Sequence, residues 1–184
     1  MPPLPAVVFQ HYRQPRHQGA LIKATEVVLE GRREDAELRL YLRVDDQDKV
    51  RLGYTLKGDR SPIAALSLLA TWAMGRPLAE VEALTLEQLA SHYELPNDLR
   101  PALVQVLEAL EAALAVRRGE PNPYADEGAL VCHCLHVREK RIERTIRERK
   151  LSTVDEVRFW TRACSGCRSC RTDVEEILGR CSRG

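Results

Sequence analysis

The chain carries two short cysteine motifs, Cys132-His133-Cys134 and Cys167-Arg168-Ser169-Cys170, which are separated by thirty-two residues. All six cysteines lie in the last third of the sequence, and the first 131 residues contain none. Four of these thiols form two tight pairs at the ends of one segment, which indicates that their sulfurs converge on a single centre. We therefore interpret the remaining chain as the part that carries this centre.

Size and charge limit the classes of function. A chain of 184 residues is long enough for one large or two small domains. Its formal net charge of +1 argues against nucleic acid or an anionic membrane as the main partner. No apolar run approaches the ~18 residues that span a bilayer, and residues 1–5 lack the features of a signal peptide. We expect a cytoplasmic protein, in which six cysteines indicate metal or redox chemistry rather than disulfides.

The first two thirds of the chain change from strand to helix periodicity. Residues 38–44 and 50–56 alternate apolar and polar side chains around a polar turn, which predicts an antiparallel hairpin. A third strand is predicted within residues 20–30. Helices are predicted over residues 7–12, 61–75, 77–83, 85–92 and 101–118, two of them with caps at Ser61-Pro62 and at Thr85 with Gln88. Residues 1–118 are thus predicted to form an α+β domain with a three-stranded antiparallel sheet covered by helices.

Residues 119–129 are rich in turn formers and are interpreted as a linker. Residues 130–184 are predicted to form a small all-α domain with three helices, the last opened by a capping box of Thr172 and Glu175. So few residues make a small core, and a metal centre would add the missing stability. Cations on the first of these helices suggest either a docking patch for an acidic partner or an ordinary solvated face. They are Arg138, Lys140, Arg141, Arg144 and Arg147.

The chemistry of four thiolates leaves two kinds of centre open. Side chains at i and i+2 of an extended strand point the same way, so Cys132 and Cys134 can reach one centre. Four thiolates suit tetrahedral zinc or an iron–sulfur cluster. Structural zinc sites usually pair two C-x-x-C motifs on short hairpins, whereas here one motif is C-x-C and the intervening segment is helical. Cys164 could replace a ligand or form a disulfide in the metal-free protein, and Cys181 is interpreted as a small core residue.

The C-terminal part resembles a known family. The segments 131–134, 167–170 and 173–178 are similar to the bacterioferritin-associated-ferredoxin-like domain, which is the middle domain of NifU proteins. The resemblance covers residues 130–180. It implies a 2Fe–2S cluster, and therefore iron, held by Cys132, Cys134, Cys167 and Cys170, with zinc as the alternative.

The N-terminal part resembles the IscU-type scaffold domain that precedes this module in NifU. The similarity rests on His11-Tyr12-x-x-Pro15-Arg16, on residues 38–44 and on residues 58–64. That family assembles clusters on three cysteines and a nearby aspartate. The corresponding positions here are Glu34, Asp59 and Ala102 for the cysteines, with Ala36 for the aspartate and Pro101 for an adjacent histidine. None offers a thiolate, so the resemblance implies a degenerate scaffold.

Together these resemblances imply a NifU-type iron–sulfur protein that acts in cluster assembly by electron or cluster transfer from a 2Fe–2S centre. They imply a cysteine desulfurase or an apo iron–sulfur target protein as partner, and they leave a homodimer open. No nucleophile–base pair or substrate pocket can be recognised in the sequence, so we do not expect an enzyme. The alternatives are a ferredoxin or adaptor without an assembly role, and a structural zinc module.

Overall fold

The computed structural model describes residues 5–30, 37–58, 60, 62–132, 134–135 and 137–182. The chain divides into two compact units. The first contains the described residues up to Tyr124, and the second contains those from Ala125 onward. The segment interpreted as a linker is thus shared between the two units.

The first unit is built on a three-stranded antiparallel sheet in the order β1-β2-β3, with helices packed against it. The α+β class and the three-stranded sheet are therefore as predicted, although the first strand begins later than residue 20. In chain order its elements are α1 (Ala6–Arg13), β1 (Thr25–Glu30), β2 (Glu37–Val44), β3 (Val50–Lys57), α2 (Ile63–Ala73), α3 (Leu78–Glu82), α4 (Leu86–His92), a 3-10 turn (Asn97–Leu99) and α5 (Arg100–Arg117).

The β2–β3 hairpin follows from the alternating sequence. Leu40 lies opposite Tyr54 and Leu42 lies opposite Leu52, and all four side chains are buried. The carboxylate of Asp45 closes the turn by accepting the backbone N–H groups of two residues of the turn, Gln47 at 3.0 Å and Lys49 at 2.9 Å. These hydrogen bonds lower the pKa of Asp45, as expected for a charged acceptor. The polar turn thus fixes the register that places the apolar side chains inward.

Helix α2 is the centre of the first unit. Ten of its eleven residues are buried, so it is apolar on every side, as a helix surrounded by other elements must be. It packs on strand β3 and on helices α1 and α5, while α5 covers β1 and β2. Helix packing on one face of the sheet therefore supplies most of this core.

The buried polar group on α2 is Ser67, and it fastens the N-terminal helix. Its hydroxyl pairs with Nδ1 of the buried His11 at 2.7 Å and accepts the backbone N–H of Arg16 at 2.8 Å. Burial, together with the positive charges of Arg16 and His17, lowers the pKa of His11, so the imidazole is neutral at pH 7. The motif formed by His11 and Arg16 therefore has a structural role here: it holds α1 against α2.

The second unit is helical, with a short antiparallel strand pair that the sequence pattern did not predict. Its elements are β4 (Leu130–Cys132), β5 (Val137–Arg138), α6 (Glu139–Arg149), α7 (Val154–Thr161) and α8 (Arg171–Cys181). Helices α6, α7 and α8 pack on one another around an apolar cluster. Among the described residues of both units, no helix has the length and apolar character needed to cross a bilayer.

The basic face of α6 binds the segment at the start of the second unit. Arg144 pairs with Glu127 at 2.9 Å, Arg138 donates to the carbonyl oxygen of Gly128 at 3.1 Å, and Lys140 pairs with Asp126. The ammonium group of Lys140 and the N–H of Gly128 lower the pKa of Asp126. Three of the five cations that suggested either a docking patch or a solvated face are thus engaged within the same unit.

The helix caps predicted from the sequence had different outcomes. Thr85 with Gln88 forms the predicted capping box at the start of α4, and Thr153 forms another with Glu156 at the start of α7. The predicted box of Thr172 and Glu175 is wrong, because α8 already begins at Arg171 and Cys170 occupies its N-cap position. The carboxylate of Glu175 instead accepts from Arg171 at 2.8 Å. The predicted cap at Ser61 lies outside the described residues.

Replacing Ser67 by alanine should lower the free energy of unfolding by about 1–3 kcal/mol, because it leaves His11 and the N–H of Arg16 without their buried partner. Urea unfolding followed by circular dichroism measures this loss. Ser91→Ala, at an exposed position of α4, is the matched control and should change stability little. Equal stability of the two variants would contradict a fastening role for Ser67.

Candidate metal centre

Two loops of the second unit bring cysteine side chains together. Strand β4 ends at Cys132, and Cys134 lies in the turn that follows, so the C-x-C motif is only partly extended. The second loop connects α7 to α8, contains Cys164 and Cys167, and ends at Cys170. The predicted convergence of the two motifs is therefore present in the structure.

The sulfur atoms approach one another in pairs. Sγ of Cys134 lies 3.8 Å from that of Cys132 and 3.6 Å from that of Cys167, and Sγ of Cys164 lies 3.5 Å from that of Cys170. Two thiolates on one tetrahedral metal, each about 2.3 Å from it, lie about 3.8 Å apart. In the described part of the chain, no three His, Cys, Asp or Glu side chains are arranged to hold a single metal ion. A cluster of two irons takes four cysteine thiolates, and sulfur atoms from both loops meet here.

The site has a buried side and an exposed side. Cys132, Cys164 and Cys170 are 0%, 3% and 3% exposed and belong to the apolar cluster of the unit, whereas Cys134 and Cys167 are exposed. Burial raises the pKa of the three inner thiols. These thiols are therefore protonated when no metal is bound, and metal binding must displace their protons.

Backbone N–H groups surround the sulfurs. The N–H of Cys164 donates to the sulfurs of both Cys132 and Cys170, and the N–H of Cys167 donates to the sulfur of Cys134. Left-handed backbone at Arg162 (φ 69°), Cys164 (φ 62°) and Arg168 (φ 62°) bends this loop. Inward-turned amides form an anion-binding concavity, which suits thiolates bound to iron.

Cys167 has its own donors. The Ser169 hydroxyl lies 3.2 Å from the Cys167 sulfur, and this contact, the N–H of Ser169 and the Cys134 thiol lower the pKa of Cys167 to about 7. The exposed thiol is thus already partly ionised at neutral pH. Neither Ser169 nor the amide of Cys164 was predicted from the sequence, since only the folded loop brings these groups to the sulfurs.

Gly166 fits closely against the site. A Cβ atom added at this residue would lie 2.8 Å from Sγ of Cys134, which is shorter than real carbon–sulfur contacts allow. The absence of a side chain therefore lets the second loop approach the first. Together with the meeting of the two loops and the inward amides, this close approach means that the residues present fit a [2Fe–2S] cluster.

Other positions singled out in the sequence contribute nothing to this site. Cys181 is partly buried and packs against the apolar cluster, as predicted. In the first unit, Ala102 is partly exposed and Pro101 is buried in the first turn of α5. The remaining candidates lie outside the described residues: Glu34, Ala36, Asp59, His133 and His136.

Comparison with known families agrees with this division. Residues 5–122 match the NifU-like N terminal domain, and residues 130–180 match the BFD-like [2Fe-2S] binding domain. The chain belongs to the NifU-like family. Its second unit is accordingly a [2Fe–2S]-binding domain, and the iron–sulfur cofactor expected from the sequence is confirmed at the level of the domain.

Curated relatives extend the match along the chain. The nitrogen fixation protein NifU of Azotobacter chroococcum is 31% identical over 177 residues, covering 93% of this chain and 57% of that protein. NifU of Trichormus azollae is 33% identical over 147 residues, covering 77% of this chain and 49% of its own length. The iron–sulfur cluster assembly scaffold protein IscU of Haemophilus influenzae is 30% identical over 113 residues, covering 59% of this chain and 90% of IscU. The chain thus spans about half the length of the NifU proteins it matches.

Gly166→Ala should reduce the amount of cluster bound, because the added methyl group displaces the sulfur of Cys134. The measurement is iron and acid-labile sulfide per chain after anaerobic purification, with circular dichroism to verify folding. Ser165→Ala changes the exposed neighbouring residue and should leave the cluster content unchanged. Full cluster content in a folded Gly166→Ala protein would show that this close contact is not required.

Proposed function

We propose that Cys132, Cys134, Cys167 and Cys170 hold one [2Fe–2S] cluster and that the chain acts in iron–sulfur cluster assembly by electron or cluster transfer. The observation that carries this proposal is the meeting of the two cysteine loops, where Sγ of Cys134 and Sγ of Cys167 lie 3.6 Å apart. The domain order supports it, since a NifU-like N terminal domain precedes the [2Fe–2S]-binding domain. When bound, such a cluster gives and takes one electron at a time.

The residues around this site have two different roles. The apolar cluster around Cys132 and Cys170 excludes water from one side of the cofactor. Cys134 and Cys167 reach the surface, so one edge of the site is accessible to a partner. A partner that docks there needs no channel through the protein, which supports transfer of an electron or a cluster at that edge.

De novo assembly on the first unit is not part of this proposal. The three positions that align with the scaffold cysteines are Glu34, Asp59 and Ala102, and none of these side chains carries sulfur. We propose instead that the first unit serves in docking to a cysteine desulfurase or to an apo iron–sulfur protein, or in forming a homodimer. We place the protein in the cytoplasm, where thiols stay reduced, and we do not assign it an enzymatic reaction.

The rival function is that of a ferredoxin or adaptor without an assembly role. The exposed edge at Cys134 and Cys167 favours it equally, because electron transfer alone also needs such an edge. The two functions differ in whether the cluster leaves the protein, and an assay of cluster release separates them.

Serine replacement tests the ligand assignment. Cys132→Ser and Cys170→Ser should abolish the visible absorption of the cluster, because an alcohol is a poorer iron ligand than a thiolate. Cys164→Ser and Cys181→Ser are the matched controls and should keep it. Anaerobic purification with visible spectra, iron, zinc and acid-labile sulfide gives the result. Loss of the cluster in Cys164→Ser with retention in Cys170→Ser would overturn the assignment, and one zinc without labile sulfide would establish a zinc module.

Cluster transfer tests the assembly role. Loaded protein mixed with an apo [2Fe–2S] acceptor should activate the acceptor, while the absorption of the donor falls in step. Gel filtration after mixing separates the two proteins and locates the iron, and free iron with sulfide at the same concentration is the control. A loaded protein that is reversibly reduced yet never loads the acceptor would make the ferredoxin the correct function.

A further inference from the structure

A fifth thiol lies inside the metal centre without belonging to the proposed ligand set. Cys164 Sγ lies 3.5 Å from Sγ of Cys170, and both side chains are 3% exposed. Any small apolar side chain could fill this buried position, as the neighbouring Ala163 does at 0% exposed. The thiol of Cys164 is in addition close enough to react with one proposed ligand, Cys170.

The backbone holds Cys164 in this position. Its left-handed conformation (φ 62°) turns its N–H toward the sulfurs of Cys132 and Cys170. The preceding residue is fixed as well, because the N–H of Ala163 donates to the hydroxyl of Thr161 at 3.1 Å. The contact between the two sulfurs is thus a product of the loop fold rather than of a chance side-chain rotation.

We propose that Cys164 closes a reversible disulfide with Cys170 in the cluster-free protein and thereby protects this ligand from irreversible oxidation. The inference rests on the proposed function only in taking Cys170 as a ligand. With the cluster bound, Cys170 is occupied and Cys164 stays a free thiol. With the cluster absent, the two thiols face each other and can be joined by an oxidant.

The oxidant is a peroxide. Hydrogen peroxide converts one of the two thiols to a sulfenic acid and releases water. The second thiol attacks that sulfur, forms the S–S bond and releases a second water. The two thiols lose two electrons in total and the peroxide gains them, and a dithiol reductant reverses the step by thiol–disulfide exchange. Without a neighbouring thiol, further peroxide carries the sulfenic acid to a sulfinic acid, which a dithiol does not reduce.

Two other disulfides compete with this one. One joins Cys134 and Cys167, whose sulfurs lie 3.6 Å apart on the exposed side, and the other joins Cys132 and Cys170, whose side chains also interact. Either of them would remove two ligands from the proposed set, whereas a bond between Cys164 and Cys170 removes one and leaves three. Peptide mapping distinguishes the three bonds by mass.

The test uses the full-length protein stripped of its cluster under reducing conditions. Wild type, Cys164→Ser, Cys164→Ala and the control Cys181→Ser are treated with hydrogen peroxide, and the excess is removed by catalase. One portion of each is alkylated, digested and analysed by mass spectrometry. A second portion is reduced with dithiothreitol and loaded with iron and sulfide, and its cluster content is compared with that of an unoxidised sample.

Wild type and Cys181→Ser should show a Cys164–Cys170 disulfide, and reduction should restore their cluster loading to the starting level. Both Cys164 variants should show sulfinic acid at Cys170 and should stay largely unloaded after reduction. Recovery of the Cys164 variants equal to that of wild type, or a wild-type map with only a Cys134–Cys167 or a Cys132–Cys170 disulfide, would overturn the proposal. Loading before oxidation reports on the ligand set separately, so failure of the proposed function remains distinguishable.

Discussion

The contact between the loop after β4 and the loop before α8 is the constraint on which the second unit depends. Both loops carry sulfurs that must meet, so the helices between them have to return the chain to its starting point. Helix α6 leads away from the first loop, α7 returns, and α8 begins at the last cysteine. Three of the sulfurs then become part of the apolar cluster. Folding and cofactor binding therefore share the same residues, as in other small metal-binding domains.

The first unit keeps its fold without any cysteine. Its stability comes from α2, the sheet and α5, where the side chains are apolar and buried. The aligned scaffold positions are Glu34, Asp59 and Ala102, and Ala102, the one described, is not among the core residues. The fold of this unit is thus held by packing among residues that do not include Ala102.

Sequence patterns predicted those parts of the structure that depend on local periodicity. The β2–β3 hairpin follows from alternation, and the cap at Thr85 follows from the spacing of its partner Gln88. The meeting of the two motifs at Cys134 and Cys167 was predictable because the motifs are short and no other thiol competes earlier in the chain.

Features that depend on tertiary contacts were not predictable in this way. The capping box at Thr172 fails because Cys170 must lie at the helix start to face the other sulfurs, and that requirement begins α8 early. The contacts between residues 126–128 and the basic face of α6 form only in the folded chain. Cys164 has a left-handed backbone conformation although it is not a glycine. Local sequence preference disfavours that conformation, so the position of Cys164 could not be predicted.

The two sides of the metal centre set different requirements on the protein. On the inner side, thiols surrounded by apolar groups ionise only if a nearby group compensates the negative charge. The backbone amide of Cys164 supplies part of this compensation for Cys132 and Cys170. On the outer side, Cys134 and Cys167 are exposed, and water can solvate their charge. A cluster bound between them is held firmly at one edge and exposed at the other. The two sides of the site thus differ in how a thiolate charge is compensated, by backbone amides on the inner side and by water on the outer side.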